Sequence, residues 1–467
     1  MWYIVRTMKI LTEGSVMRFS SFFSMLAHYA TVSPDAPALY YGVGERRVCS
    51  FAELKACVLR RSAQLQASGK TCIGVLSDGS FDCVVTIFAA VHAGLQVVML
   101  DENAPDALLQ KLIAYTDMDM LWGDPDLCEE LNGALTGGVT DGRGKILFFT
   151  SGTTESAKAV VLTDESLMAS AYNGGAMLPL APGDTLLCML PLGHVFGFVC
   201  GLLWGLSCGA AVALGRGARH YIDDCRFFRP TALSAVPLLW GFLLKQDALN
   251  PELQLVLIGA GDCPKALLEA AKARGIRVAF GYGLTETSSG VAISTEGDPY
   301  AMAVCPDDTI TIAEDGEVCI AAPTCMMQGY YKRPDDTAAV LRDGVLYTGD
   351  LGYLDIKEKL HITGRKKEII ALADGTKLFL PEYERDCAAA LGTEEICITL
   401  HGGVPTLAIG KIVRGDANAA LIKLRSVNAA RPRGQQIKKV VFLPHALPRT
   451  ATGKLKRWEI QQEVEGL

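Results

Sequence analysis

Between Phe19 and about Gly144 the chain alternates stretches of helical spacing with short β-branched runs. FAELKACVLRRSAQLQASG, TCIGVLS, FDCVVTIFAAVHAG and LQVVML follow one another. Such alternation is satisfied by parallel β-α-β units, so it argues for an α/β fold. No residue there carries evident chemistry, and Asp78, Asp82 and His92 are read as surface or helix-cap groups. A chain of 467 residues is long for one core, which sets an expectation of two or three domains. The opening segment MWYIVRTMKILTEGSV has too short an apolar run and too much charge for a signal peptide, so residues 1–16 are expected to be a tail or an over-extended start. From Met17, MRFSSFFSMLAHYA reads as an amphipathic helix with serines placed to cap it.

The formal charge of −7 gives no overall electrostatic footprint for nucleic acid. Fifteen cysteines are scattered with no C-x-x-C pair and only seven histidines accompany them, so free thiols in a reducing cytosol are expected rather than disulfides or a zinc site.

Chemistry first shows in Ile146–Thr163, ILFFTSGTTESAKAVVLT. An apolar run opens into Thr150, Ser151, Gly152, Thr153 and Thr154, whose hydroxyls and exposed N–H groups could converge on phosphate oxygens. Lys158 adds a point charge. A Ser/Thr-rich hairpin turn is the plainer alternative. The phosphate loop G-x-x-x-x-G-K-[ST] is excluded, because Ala157 and Ala159 flank the lysine. The stretch instead resembles the signature loop of the adenylate-forming superfamily, which comprises acyl-CoA and aryl-CoA synthetases, peptide-synthetase adenylation domains and luciferases. It departs from the usual TSGTTGxPKG at Glu155, Ala157 and Ala159. The resemblance implies that this loop folds around the β- and γ-phosphates of ATP.

Further segments match the same family in order, from about Met17 to Arg457. Leu186–Gly215 has no Asp, Glu, Lys or Arg, yet Pro191, His194 and its glycines favour a buried helix leading into a core strand over a membrane span. It matches a PLxHxxG-like segment whose histidine or aromatic borders the acyl pocket and thiol channel in relatives; His194 could equally be a core histidine. LVLIGAGDCP reads as a strand ending in a glycine turn, and Gly259, Ala260 and Gly261 fall where the family lines its acyl pocket and adenine site. Gly281-Tyr282-Gly283-Leu284-Thr285-Glu286-Thr287 is the second strong match. By resemblance Gly281 and Gly283 flank the nucleotide, Tyr282 stacks near the adenine, Thr285 contacts the α-phosphate and Glu286 holds Mg2+. A hard carboxylate oxygen suits that ion. Asp350 follows a Thr-Gly turn where the family accepts both ribose hydroxyls, and Arg365 stands at its ribose-binding arginine. Lys367 falls at the pivot of the small C-terminal domain, and Lys454, in LPRTATGKLKR, at the catalytic lysine.

The resemblance therefore implies an α/β fold in which β-α-β sheets and a distorted β-barrel form a large N-terminal AMP-binding domain over 17–364, followed by a small mobile α+β lid over 365–467. The lid holds ten Lys/Arg and no Asp or Glu between Ala417 and Trp458, a balance suited to closing over polyphosphate or CoA and equally to a solvated surface. The implied activity is ATP-dependent conversion of a carboxylic acid to its acyl-AMP and then to a thioester, in the cytoplasm and without stable membrane insertion. Lys454, Glu286, Thr153 and His194 are the catalytic candidates. CoA is the expected acceptor, with a carrier protein's phosphopantetheine as the alternative. HVFGFVCGLLWG offers no carboxylate for an amino group, so Phe196, Phe198, Val199 and Trp204 point to a fatty or aryl acid. An ATP hydrolase, or a catalytically impaired nucleotide-binding relative, is the reading from another class.

Overall fold

The computed structural model describes residues 16–101, 106–122, 144–150, 158–261, 263–295, 298–366, 369–371, 377–410, 416–449 and 455–467. Apart from Val16, the tail expected over 1–16 lies outside them. The capped first helix is present over Phe22–Val32: the Ser21 hydroxyl accepts from the Ser24 N–H and the Ser24 hydroxyl returns the bond.

Local sequence sets the alternation of elements. Ser50 ends one strand and caps the helix Phe51–Ala67, with Glu53 closing the capping box. Ser80 caps Phe81–His92, which is buried from Cys83 to His92 because it is apolar all round. The parallel strands Cys72–Leu76, Gln96–Leu100 and Met120–Trp122 alternate with Phe81–His92 and Asp106–Thr116, as the pattern requires. His92 is no surface group. It is 7% exposed and stacks on Phe23 with ring centroids 4.0 Å apart, since the helix end is covered by the first helix.

Among the described residues, two large sheets carry the body of the molecule. In the nine-stranded sheet, six neighbouring strands from Arg277–Leu284 across to Pro37–Tyr41 run parallel, with antiparallel strands at both edges. In the six-stranded sheet, Lys145–Phe149 pairs antiparallel with Ala159–Thr163, which then pairs with Gly329–Tyr330. A five-stranded antiparallel sheet built on Glu317–Ala321, Val345–Leu354 and Leu360–Arg365 takes the place expected of the distorted barrel. At the C-terminal end, Ile396–His401, Val404–Ile409 and Lys439–Phe442 form a three-stranded sheet. Its apolar clusters draw only on residues between Leu378 and Val464, so this C-terminal domain has its own core.

Val195–Phe198, Val199–Leu203 and Trp204–Ser207 form one helix with a π turn in its middle, leading into the buried strand Ala211–Leu214. No helix among the described residues is long and apolar enough to cross a membrane.

One buried carboxyl strains this core. Asp308 accepts from Asn173 Nδ2 at 3.1 Å on one oxygen, while its other oxygen and Asn173 Oδ1 have no partner. Burial, and then the neighbouring Asp307, push its pKa up to about 7. A carboxyl with a folded pKa above its unfolded value of about 3.9 contributes stability that is present below that value and is lost as pH rises through about 7. Asp308→Asn is therefore expected to flatten the decline in stability between those pH values. It should be more stable than wild type above pH 7 by about 1–2 kcal/mol, since an uncharged amide turns the orphan oxygen at 308 into a donor that can meet the orphan Asn173 Oδ1. Denaturant melts across pH measure this; a variant with the wild-type slope refutes it.

Candidate active site

The segment Gly281–Thr287 lies where the nine-stranded sheet meets the five- and six-stranded sheets. It ends the strand Arg277–Leu284 of the nine-stranded sheet and turns into a short 3-10 helix, Thr285–Thr287. The Thr287 hydroxyl holds that turn, accepting from the Leu284 N–H and donating to a backbone carbonyl. Gly283 is required by the backbone itself, because a Cβ there would stand 1.7 Å from the Ser289 carbonyl oxygen of the paired strand.

Two side chains of this segment reach out to the other sheets. Tyr282 donates its phenol to Asp350 Oδ2 at 2.8 Å on the five-stranded sheet. Asp350 Oδ1 is 2.6 Å from Arg365 Nε, its cross-strand partner in the antiparallel register. The three residues expected around adenine and ribose are thus joined in one chain of contacts. Burial, and then Asp350, raise the Tyr282 pKa, so the phenol stays a donor. On the other side Glu286 Oε1 accepts from the Tyr330 phenol at 2.6 Å, and the Glu286 carbonyl accepts from the Met327 N–H. Burial, and then Glu286, likewise raise the Tyr330 pKa.

Lys158 is placed by the hairpin. Its N–H donates to the Thr150 hydroxyl and its carbonyl accepts from the Thr150 N–H, which closes the strands around 151–157. Its ammonium sits 4.5 Å from the centroid of Tyr330 and 3.0 Å from Asp336 Oδ1. Lys158 in turn holds the Asp336 pKa below the usual carboxylate range. Lysine, tyrosine ring and Glu286 therefore form one continuous group. Ser151, Gly152, Thr153 and Thr154, with Glu155 and Ala157, lie outside the described residues, as do Lys367 and Lys454. Ala159 opens the strand Ala159–Thr163. Lys366, just before the expected pivot, pairs with Asp315 and Glu317.

His194 starts the helix Val195–Phe198 without capping it. Burial lowers its pKa against the opposing pull of Asp101, so the imidazole is neutral at pH 7. The tip of the Phe196 ring lies against Gly259, where a Cβ would meet it at 2.9 Å. Ala260 takes the left-handed conformation with φ 63°, and Gly261 is exposed beside Pro237. Phe198 does not line a pocket: it is wholly buried against Phe22, Phe88 and Phe148. Sequence reasoning also missed Tyr330 and Asp336, which stand in GYYKRPDD; a tyrosine beside a glycine ahead of two aspartates was the available signal.

The donor set fits a nucleotide with magnesium. Glu286 supplies one carboxylate, and among the described residues no group of three or more His, Cys, Asp or Glu could hold a metal by itself. Magnesium that takes most of its oxygens from phosphates and water needs no more than this.

A nucleotide-binding α/β enzyme is the class defined by this fold and this junction of carboxylates, tyrosines and lysine. The chain belongs to the AMP-binding enzyme family, which it matches over residues 26–140 and 145–331. It is 25% identical to the 2-succinylbenzoate–CoA ligase of Geobacillus sp. (strain WCH70), over 94% of this chain and 97% of that protein. It is 30% identical to 4-coumarate–CoA ligase 2 of Oryza sativa subsp. japonica, over 68% of this chain and 61% of that protein. Of the solved structures, the O-succinylbenzoate coenzyme A synthetase from Bacillus subtilis in complex with AMP superposes with a TM-score of 0.81 at 23% identity, covering 94% of this chain and 98% of that one. ATP-bound MatB from Rhodopseudomonas palustris gives 0.82 at 22% identity, covering 96% and 99%. The adenylate-forming fold expected from the sequence is the fold observed.

Proposed function

We propose that this AMP-forming acid–thiol ligase activates a fatty or aryl acid with ATP and Mg2+ and transfers the acyl group to CoA. The observation that carries the reading is that one segment, Gly281–Thr287, joins the Asp350–Arg365 pair on one side to the Glu286–Tyr330–Lys158 group on the other. Relatives named CoA ligases support the choice of acceptor.

A carboxylate is a poor electrophile because its leaving group would be oxide. In the first half-reaction its oxygen bonds to the α-phosphorus of ATP as the bond to pyrophosphate breaks. Asp350 and Arg365 would hold the ribose, an acceptor-only carboxylate suiting a vicinal diol. Tyr282 would border the adenine, and Thr285 the α-phosphate. The hydroxyl loop with Lys158 would bind the leaving phosphates, and Lys454 would bridge carboxylate and α-phosphate, so that catalysis is chiefly positioning and charge neutralisation. Magnesium held at Glu286 would supply further neutralisation of phosphate charge. In the second half-reaction the thiol attacks the acyl carbon, AMP leaves, and a thioester forms. Lys454 would occupy the thiol's space, so the lid is assigned to 365–467 and turns about Lys367 between steps. The neutral His194 would border the thiol path. A reducing compartment such as the cytoplasm is supported by fourteen free cysteines among the described residues.

Exchange of labelled pyrophosphate into ATP, run against fatty, aryl and amino acids, tests the reading. Fatty or aryl acids should support exchange and amino acids should not, because HVFGFVCGLLWG has no carboxylate to hold an ammonium. Exchange with an α-amino acid and with no other class overturns it, and nucleotide binding without any exchange identifies an impaired relative. CoA and a phosphopantetheinylated carrier, compared in the thioester step, decide the acceptor.

A further inference from the structure

The segment from Met327 to Tyr331 is stitched between the two motifs of the phosphate site. The Met327 N–H donates to the Glu286 carbonyl at 2.8 Å, the Gln328 N–H to the Val161 carbonyl at 2.9 Å, and the Tyr331 N–H to the Ala159 carbonyl at 2.8 Å. Gly329 and Tyr330 thereby pair antiparallel with Val161 and Val160, on the strand that follows Lys158. Gly329 has φ 139°, and a Cβ there would meet the Thr337 side chain at 3.0 Å. Glycine lets this short strand sit against the helix Pro334–Val340, whose Thr337 hydroxyl accepts from the Tyr330 N–H at 2.9 Å. The backbone thus holds the Tyr330 side chain between the lysine of the hydroxyl loop and the turn that carries Glu286.

Tyr330 meets the two charges with different parts of itself. Its ring takes the Lys158 ammonium, and its hydroxyl donates to Glu286 Oε1. The residue is buried, and burial with the nearby Glu286 keeps the phenol protonated, so the hydroxyl remains a donor. Without that ring between them a flexible lysine could reach the glutamate, and an ion pair would cancel the charge each needs for its own ligand. The π face attracts the cation while the hydroxyl holds the anion, so the opposite charges stay apart. Lys158 makes its ion pair with Asp336 instead, at the half-exposed start of the helix Pro334–Val340. The phenol engages one Glu286 oxygen and leaves the other to offer a metal. Magnesium is strict about the geometry of its oxygen shell, and hydrogen bonds to a ligating carboxylate set its orientation.

We infer that Tyr330 is a positioning residue that orients Glu286 for magnesium through its hydroxyl, holds Lys158 for the departing phosphates through its ring, and keeps the two from neutralising each other. The inference rests on the assignment above of magnesium to Glu286 and of phosphate to Lys158. Tyr330 itself touches no reacting atom and acts through those two residues.

The test is calorimetric titration of the full chain with ATP, with no acid present, once in EDTA and once in saturating Mg2+. The ratio of the two affinities measures how much the ion adds. Tyr330→Phe keeps the ring and loses the hydroxyl, so that ratio should fall by about tenfold, as expected when a metal ligand loses its outer hydrogen bond. Its affinity in EDTA should stay within about twofold of wild type, because Lys158 still rests on an aromatic face. Tyr330→Leu should show the same fall in the ratio and a further loss of about threefold in EDTA. Should Tyr330→Leu fail to fold in urea melts, Tyr330→Met carries the same comparison. A merely structural tyrosine would lower the urea midpoint of Tyr330→Phe and leave the Mg2+ ratio unmoved. That result, beside a Glu286→Gln variant that has lost the Mg2+ enhancement, overturns the inference and leaves the metal assignment intact. A Glu286→Gln variant with the wild-type ratio, or a wild type whose ATP affinity ignores Mg2+, overturns the assignment and the inference with it.

Discussion

Lys454→Ala is expected to lose about 3–4 kcal/mol of transition-state stabilisation in adenylate formation, by analogy with removal of an oxyanion donor. Its charge is assigned only to the step in which carboxylate and α-phosphate, both anionic, are brought together. Synthetic acyl-AMP bypasses that step. Supplied with acyl-adenylate and CoA, the variant should make thioester at close to the wild-type rate. Lys367→Pro should behave in the opposite way, because fixing φ at the proposed pivot holds the lid in its first pose. Pyrophosphate exchange should then survive while thioester formation collapses. Should both variants lose both half-reactions equally with intact circular dichroism spectra, the rotating lid is refuted and Lys454 acts as a general phosphate-binding residue.

Much of the fold was legible because it is written in local pattern. Continuous apolar runs between helical stretches could only be covered strands, and Cys72–Leu76 and Gln96–Leu100 are such strands. Cap residues were equally local: Ser21 lies one residue before its helix and acts on the next turn. Part of the site was legible for another reason. Asp350 and Arg365 are far apart in type but lie opposite each other in one antiparallel pair, and the order of motifs alone brought both into view. What the sequence hid depends on contacts across sheets. Tyr330 lies 44 positions from Glu286, and nothing local to either residue shows that a phenol will meet that carboxylate. Lys158 and Asp336 are 178 positions apart. Phe198 looked like a pocket residue because its neighbours line one, but a helix distributes successive residues around its axis and this one faces the aromatic core. The orphan acceptors at Asp308 and Asn173 follow from packing between a helix and a distant loop, which no pattern announces.

Asp350→Asn should raise the KM for ATP by about 30- to 100-fold, or about 2–3 kcal/mol, with only a small effect on folding. Burial of the Asp350–Arg365 pair is unequal: the aspartate side chain is 3% exposed and the arginine side chain 54%. An amide at position 350 still accepts from the Tyr282 phenol, and the released guanidinium is solvated where it stands. The charge-assisted acceptor for the ribose hydroxyls is what disappears. Arg365→Ala should show the reverse balance, since it withdraws the counter-charge from a buried carboxylate; about 1–2 kcal/mol of stability is expected to go, less than for a fully buried pair because water reaches the arginine side. Replacing ATP by 2′-deoxy-ATP separates nucleotide recognition from general damage. Wild type should discriminate between the two, and Asp350→Asn should lose most of that discrimination because the group that senses the hydroxyl is already impaired. An Asp350→Asn variant with a wild-type KM and undiminished preference for the ribonucleotide would remove Asp350 from the ribose site and leave it as the structural partner of Tyr282 and Arg365.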